Sequence, residues 1–394
     1  MPGPLHGYRI VDLTTNVSGP LATMILADQG ADVIKVENPN GGDATRAASN
    51  RRQGFSVSFL NTNRNKRSIA LDLRDPAAKQ ALLRLIGTAD VFIQNFRPGV
   101  ADRMGFSEDA LRAVKPDIIY VSISGFGETG PYAGKPVYDP IVQAMSGLAT
   151  IQAGSDQERP RLVRTILPDK LTAVTASQAI TAALLARERT GQGQHVRLAM
   201  LDAVIAFLWA SDMGSQTFVD DAPPRQKAAS ALDLIYETAS DYITVAVQTD
   251  RQWHGLTRAL EKPEWLDDPR FKTPALRQEN VNERLSMTQA ALKTRPAAHW
   301  LEVLTKEDVP CAPVLTRSAL SHHPQVRANG IVVETEHEKA GRLRQARPAA
   351  RFSRTPAGIR HGAPGLGQDT ETILSELGYS AAEIVALQAK EHAA

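Results

Sequence analysis

The sequence predicts an α/β protein, with a large doubly wound domain on a parallel sheet and a smaller α+β domain after it. Two observations carry this. Over the first half of the chain, short β-branched runs alternate with stretches of helical period, the pattern of strands joined by crossover helices. The composition then shifts at "FVDDAPPRQKAAS" (218–230), polar and proline-bearing, beyond which amphipathic helices predominate.

Taken in order, "YRIVDLT" is a strand, "GPLATMILADQG" a helix with Pro20 in its first turn and Gly30 as its stop, and "ADVIKVE" a second strand. That is one β-α-β unit. "SIALDL", "ADVFIQNF" and "DIIYVSIS" continue the strands, separated by helical "DPAAKQALLRLIGT" and "SEDALRAVKP". Two long apolar helical stretches follow, about 170–187 and 199–214. Past the 218–230 linker, "DYITVAVQ" reads as a strand, and "RQWHGLTRALE", "ENVNERLSMTQAALK" and "AAHWLEVLTKE" read as helices. The stretch 331–362 mixes short strands with basic loops, and the end holds two helices broken at Gly378, the second opened by a Ser380/Glu383 capping box.

Composition narrows the function classes. With 394 residues, 42% of them hydrophobic, the chain has material for two or three domains and a sizeable core. The formal charge is only +2, with 45 basic residues dispersed among 43 acidic ones, so no nucleic-acid surface is expected and any anion site must be local. A single cysteine, Cys311, excludes an internal disulfide and a thiolate metal cluster and fits a reducing compartment. Neither a signal-like start nor an apolar run of membrane-spanning length is present, so a cytoplasmic protein without a membrane partner is expected.

The familiar motifs fail on inspection. The first β-α-β unit ends in Glu37, where a dinucleotide-binding protein holds a ribose, but its loop "TTNVSGP" lacks the glycine fingerprint. "GFGETG" (125–130) matches that fingerprint in letters, yet Pro131-Tyr132 follow it and not a helix. There is no HExxH, no P-loop, no nucleophile elbow around Ser124, and no histidine between His6 and His195. No metal and no tightly bound cofactor are expected. What remains is "TILPDKLTAV" (165–174), where Asp169 opens a long alanine-rich helix. An N-cap aspartate, worth roughly 0.5–2 kcal/mol, and a carboxylate that does chemistry are both open at this point.

Several ordered blocks resemble one family, the class III CoA-transferases, which includes formyl-CoA transferase, carnitine CoA-transferases and α-methylacyl-CoA racemases. The blocks are "LADQGADVIKVENPNGGDATR", "NRNKRSIALDL", "ADVFIQNFRPGVADRMGF", "PDIIYVSISGFGETGPYAGKPVYDPIVQAMSG", "PDKLTAV", "ARERTGQGQHVRLAMLDAV", "DVPCAPV" and "LGQDTETILSELGYS". They run from residue 5 to about 380. The resemblance implies a Rossmann-like large domain over 1–217, completed by 331–394, linkers over 218–230 and 319–330, and a small domain over 231–318. It also implies an interlocked homodimer, with the site between the large domain of one subunit and the small domain of its partner.

By the same resemblance Asp169 is the catalytic nucleophile, moving coenzyme A from an acyl-CoA to a free carboxylic acid through an aspartyl-acyl anhydride and an aspartyl-CoA thioester. Coenzyme A and acyl-CoA are then substrates. Their contacts would come from Leu71 and Arg74, from Asn95, Phe96, Arg103 and Met104, and from Lys135. Asn16, Val17 and Met200 would lie nearer the thioester. Tyr138 is a candidate for seating the acyl group, with packing as the alternative, and Arg161 and Arg164, shortly before Asp169, are candidates for a second carboxylate, with plain surface roles as the alternative. This chain departs from the formyl-CoA transferase pattern at Asn16-Val17 and Asn38, and "SALDLIYETASDYITV" lacks the glycine-rich loop. A short dicarboxylic acid such as succinate is therefore expected in place of oxalate or formyl-CoA. The racemases use a histidine base where this chain has Tyr138, whose ordinary pKa near 10 suits a base poorly. That leaves 2-acyl-CoA epimerisation as the alternative, and an idle CoA-binding protein behind it.

Overall fold

The computed structural model describes residues 3–219 and 233–391. Most of the 218–230 stretch, read above as a linker, lies outside the described residues. The chain forms two compact units, Met1–Ala231 with Gly330–Ala394, and Leu232–Asn329.

The first unit is built on a six-stranded sheet. Its strands are β1 (Arg9–Asp12), β2 (Asp32–Glu37), β5 (Lys66–Ala70), β6 (Val91–Gln94), β7 (Ile119–Ser124) and β8 (His195–Ala199); β3 (Arg51–Arg52) and β4 (Phe55–Ser56) form a separate hairpin. The order is β5-β2-β1-β6-β7-β8, every neighbouring pair parallel. The chain builds outward from β1 to one side, then returns to lay β6 on the other. A crevice therefore opens beyond the carboxyl ends of β1 and β6, where the winding direction switches.

Successive strand residues face opposite helix layers. Val11, Ile34, Phe92 and Tyr120 pack with helices Pro76–Ile86, Glu108–Val114, Thr370–Glu376 and Ala381–Glu391. Ile10, Val33, Val91, Ile93 and Val121 pack with Ser18–Asp28 and Leu167–Thr190. Strand β8 escaped the sequence reading, which placed a helix over 199–214; the helix is Met200–Trp209. The reason is position. β8 is a five-residue edge strand that runs straight into the helix, and its alternation, Val196 and Leu198 between His195 and Arg197, is too short to stand out from the helical stretch after it.

The second unit holds the antiparallel strands β9 (Ile235–Glu237), β10 (Tyr242–Val245) and β11 (Cys311–Pro313), in the order β11-β10-β9. Trp253, Trp265, Phe271 and Trp300 fill its core, carried in part by helices Asp250–Ala259 and Ala297–Lys306. It reaches Asn329, taking in a 3₁₀ turn, Leu320–His322, and a helix, Pro324–Asn329, where the sequence reading had a return linker. β12 (Val332–His337) and β13 (Gly341–Ala346) then pair as a hairpin of the first unit.

Under the carboxyl ends of β1 and β2 lies a cluster of buried charges. The Lys66 ammonium donates to Asp12 Oδ2 at 3.0 Å, Asn63 Oδ1 at 2.8 Å and the Pro20 carbonyl at 2.8 Å, so all three of its protons are used. Lys35 donates to the Thr14 carbonyl at 2.7 Å and pairs with Asp43 at 2.9 Å. All four ions are buried, so removing one partner strands its opposite. Lys66→Met should lower unfolding stability by about 3–5 kcal/mol in urea denaturation at pH 7, the cost of leaving Asp12 unpaired. A loss below about 1 kcal/mol would contradict the assignment of this cluster as the anchor of the sheet edge.

Candidate active site

The helix carrying Asp169 begins at Leu167, with Pro168 in its first turn and Ile166 at its N-cap, which offers no side-chain cap. Asp169 is thus not the cap that its Pro-Asp setting suggested. It lies inside the first turn, and its carboxylate faces Ser18, whose backbone N–H and hydroxyl favour its ionised form. Ser18 is the buried first residue of helix Ser18–Asp28. That helix directs the positive end of its dipole and a free amide at the carboxylate.

A second carboxylate holds the backbone of Asp169. Asp139, buried at the start of helix Asp139–Met145, accepts the Asp169 N–H at 3.2 Å through Oδ2 and Gln143 Nε2 at 2.6 Å through Oδ1. Gln143 in turn accepts the Val163 N–H at 2.9 Å and donates to the Thr165 carbonyl at 3.2 Å. The segment entering the Asp169 helix is therefore strapped down by one buried pair. Sequence reasoning missed Asp139, Gln143 and Ser18 as site residues. The signal available was two polar side chains four apart in "DPIVQ", which one helix face brings together.

Burial raises the pKa of Asp169 from 3.8 to about 6, the negative charge of Asp139 adds to this, and the two Ser18 bonds oppose it. The result is a carboxyl group that ionises just below neutrality, at the amino end of two helices.

The first loop links this point to the crevice. Asp12 accepts the Thr14 N–H at 2.8 Å and the Thr23 hydroxyl at 2.6 Å, which draws the loop onto the sheet edge. Asn95, at the end of β6, brackets Thr15 with a bond from its N–H at 2.9 Å and one to its carbonyl at 2.8 Å. The Asn95 amide is thus occupied in joining the two sides of the switch point. Asn16 takes a left-handed conformation, φ 68°, with its side chain exposed and its N–H 3.3 Å from Asp43. Val17 is half-buried beside Ser18.

A cleft of about 360 Å³ lies against this loop, and Leu71, Arg74, Phe96 and Met104 line it together with Thr15, Lys35, Asn38 and Leu73. Four of the sequence candidates therefore converge. Arg74 is paired with Asp72 at 2.6 Å and keeps an exposed side chain. Met200 is buried in an apolar cluster with Val142 and Leu148, against which Leu167 and Leu171 of the Asp169 helix pack. The others stand apart on the surface. Arg103 is exposed on helix Val100–Met104, Lys135 lies over the Tyr132 ring at 3.4 Å, Tyr138 is 72% exposed, and Arg161 and Arg164 are exposed.

Comparison with known proteins places this geometry. Residues 5–370 match the family model for CoA-transferase family III. Acetyl-CoA:oxalate CoA-transferase of Acetobacter aceti is 35% identical, covering 84% of this chain and 86% of its own. Succinyl-CoA:glutarate CoA-transferase of Homo sapiens is 33% identical over 95% of this chain and 86% of its own, and formyl-CoA:oxalate CoA-transferase of Escherichia coli is 33% identical over 98% and 99%. Among solved structures, Rv3272 of Mycobacterium tuberculosis superposes with a TM-score of 0.83 at 30% identity, covering 94% of this chain and 99% of that one. A CaiB/BaiF family protein of Brucella suis gives 0.82 at 31%, covering 96% and 100%.

Because the folded-state pKa of Asp169 lies above its ordinary value, the folded protein keeps a proton that the unfolded chain has already lost between about pH 4 and 6. Stability from this group is present below that window and lost as pH rises through it. Asp169→Asn should therefore gain on the wild type by about 1–3 kcal/mol between pH 4 and pH 7, read by urea unfolding at both values. Parallel pH profiles for the two proteins would refute the raised pKa.

Proposed function

The chain belongs to CoA-transferase family III, and on that premise we propose that Asp169 is the nucleophile through which it passes coenzyme A from an acyl-CoA to a carboxylic acid. The observation that carries the reading is the Asp169 carboxylate itself, held by Ser18 at two helix amino ends yet destabilised by burial and by Asp139. A carboxylate so placed is ionised at pH 7 and retains nucleophilicity.

The steps follow from carboxylate chemistry. An Asp169 oxygen attacks the thioester carbonyl, the C–S bond breaks, and an aspartyl-acyl anhydride and CoA thiolate form. The thiolate attacks the aspartyl carbonyl of the anhydride and releases the first acid, leaving an aspartyl-CoA thioester. The incoming carboxylate attacks that thioester to give a new anhydride and thiolate, and the thiolate attacks its acyl carbonyl, so the new acyl-CoA leaves and Asp169 returns. The thioester bond is carried through, so no nucleotide is consumed. Asp139 acts as a positioning residue: it fixes the backbone of Asp169 and raises its pKa.

The cleft along the first loop suits part of coenzyme A. Leu71, Phe96 and Met104 offer apolar contact and Arg74 a cation for its phosphates, with Arg103, outside the cleft on the helix that carries Met104, a second cation for a phosphate that reaches beyond it. Lys135 and Tyr138 are the outlying members of the set, available where the acyl end emerges. The acids are dicarboxylic by analogy with the relatives, one of which is named for glutarate and two for oxalate. Succinate leads, because Asn16-Val17 and Asn38 depart from the formyl-CoA transferase pattern and the glycine-rich loop is absent from the sequence. The working form proposed is an interlocked homodimer.

Incubated with succinyl-CoA or acetyl-CoA and a panel of succinate, glutarate, oxalate and monocarboxylic acids, the protein should form new acyl-CoA species by chromatography, and Asp169→Ala should form none. Undiminished exchange by that variant would end the nucleophile assignment. The transfer rate should climb with pH through about 6, as Asp169 ionises, and Asp139→Asn should move that midpoint downward, since it removes a neighbouring negative charge. An unchanged midpoint in Asp139→Asn would remove Asp139 from the scheme.

A further inference from the structure

The second unit, Leu232–Asn329, contains a cavity of about 200 Å³, and the described residues that line it all belong to this unit. Its lining is mixed: Leu234, Val247 and Leu285 give it an apolar side, Gln248, Thr249, Gln278 and Thr288 a polar one, and two arginines also face it, Arg277 and Arg284. The two are held very differently. Arg277 is buried, paired with Asp250, hydrogen-bonded to the Phe271 carbonyl at 2.9 Å and set near the Trp253 ring. Its charge is compensated.

Arg284 has no carboxylate partner among the described residues. Its Nε is buried without a hydrogen-bond partner, and the groups acting on its charge among the described residues are the Tyr236 phenol and the like-charged Arg277. Burial pushes the Tyr236 phenol up to about 12, so it is neutral at pH 7 and no counter-ion. Burial also lowers the pKa of Arg284, but a guanidinium keeps its proton in proteins. A cation in this position, with a cavity before it, is half of an ion pair.

We propose that this cavity binds a small organic carboxylate with an apolar tail, the carboxylate on Arg284 and the tail against Leu234, Val247 and Leu285. With Nε enclosed, the Nη end of the guanidinium is what a carboxylate in the cavity would meet. The leucine and valine side chains offer an alkyl tail a contact that inorganic phosphate cannot use. The proposal rests on this cavity alone and is independent of the chemistry at Asp169.

The test uses the full-length protein in an Asp169→Ala background, so that covalent capture there does not contribute. Butyrate, hexanoate and inorganic phosphate are titrated while unfolding temperature and tryptophan emission are followed, since Trp253, Trp265 and Trp300 lie in this unit's core. Hexanoate should give a saturable rise in unfolding temperature. Adding Arg284→Met should weaken that response by about tenfold or more, the loss of a charge-assisted contact, and should raise the unfolding temperature of the ligand-free protein by removing the unpaired charge. Val247→Trp, which fills the cavity and leaves Arg284 in place, should also remove the hexanoate response. An equal response in Arg284→Met, no saturable response to butyrate or hexanoate, or saturation by phosphate alone would each overturn the proposal.

Discussion

The buried ion cluster of Asp12, Lys66, Lys35 and Asp43 is the constraint on which the first unit is arranged. Four charges without water are tolerable only because each is met by an opposite charge and by hydrogen bonds, and the groups that meet them come from separate segments: β1, β2, β5, the helix after β1 and the loop after β2. None of these segments can shift without stranding a charge. The pairing therefore acts as a registry device as much as a source of stability. Through Thr14 and Thr23 the same cluster pulls the first loop onto the sheet edge, and through Asn95 that loop is tied across the switch point.

Everything at Asp169 hangs from that loop. Ser18 is its last member and the first residue of the next helix, so the two donors aimed at the Asp169 carboxylate are placed by ions on the other side of the chain turn. Opposing forces then meet on one group. Burial and Asp139 push the carboxyl toward its neutral form, and Ser18 with the helix dipoles pulls it toward the ion. A fully relaxed carboxylate would be a weak nucleophile and a fully destabilised one would be protonated. The balance at Asp169 lies between them, with its pKa raised to about 6.

Much of this architecture was legible in the sequence, and the failures share a cause. Five of the six parallel strands were readable from β-branched or apolar residues set between helical stretches; β8 shows only the brief alternation of Val196 and Leu198 and leads directly into a helix, so it was absorbed into that helix. Asp169 drew notice from its Pro-Asp setting, but its cap reading failed because two residues of helix precede it. Leu71, Arg74, Phe96 and Met104 came from separate blocks and meet in one cleft. Asn95 was read as a ligand contact, and the structure adds a local role for its amide, which brackets Thr15. Asp139 and Gln143 were invisible as a strap, because their partners at 163–169 lie two turns of fold away and no local rule connects them.

By itself, then, the sequence determined the strand and helix alternation, the absence of familiar cofactor motifs, the family blocks and the aspartate among them. These are properties of local period and of residue type, which a linear reading contains. Tertiary structure alone decided the state of that aspartate, the occupation of Asn95 and the isolation of Arg284. Each depends on which groups lie within a few ångströms across long stretches of chain, because burial and the energy between charges are set by distance in space and not by distance along the sequence.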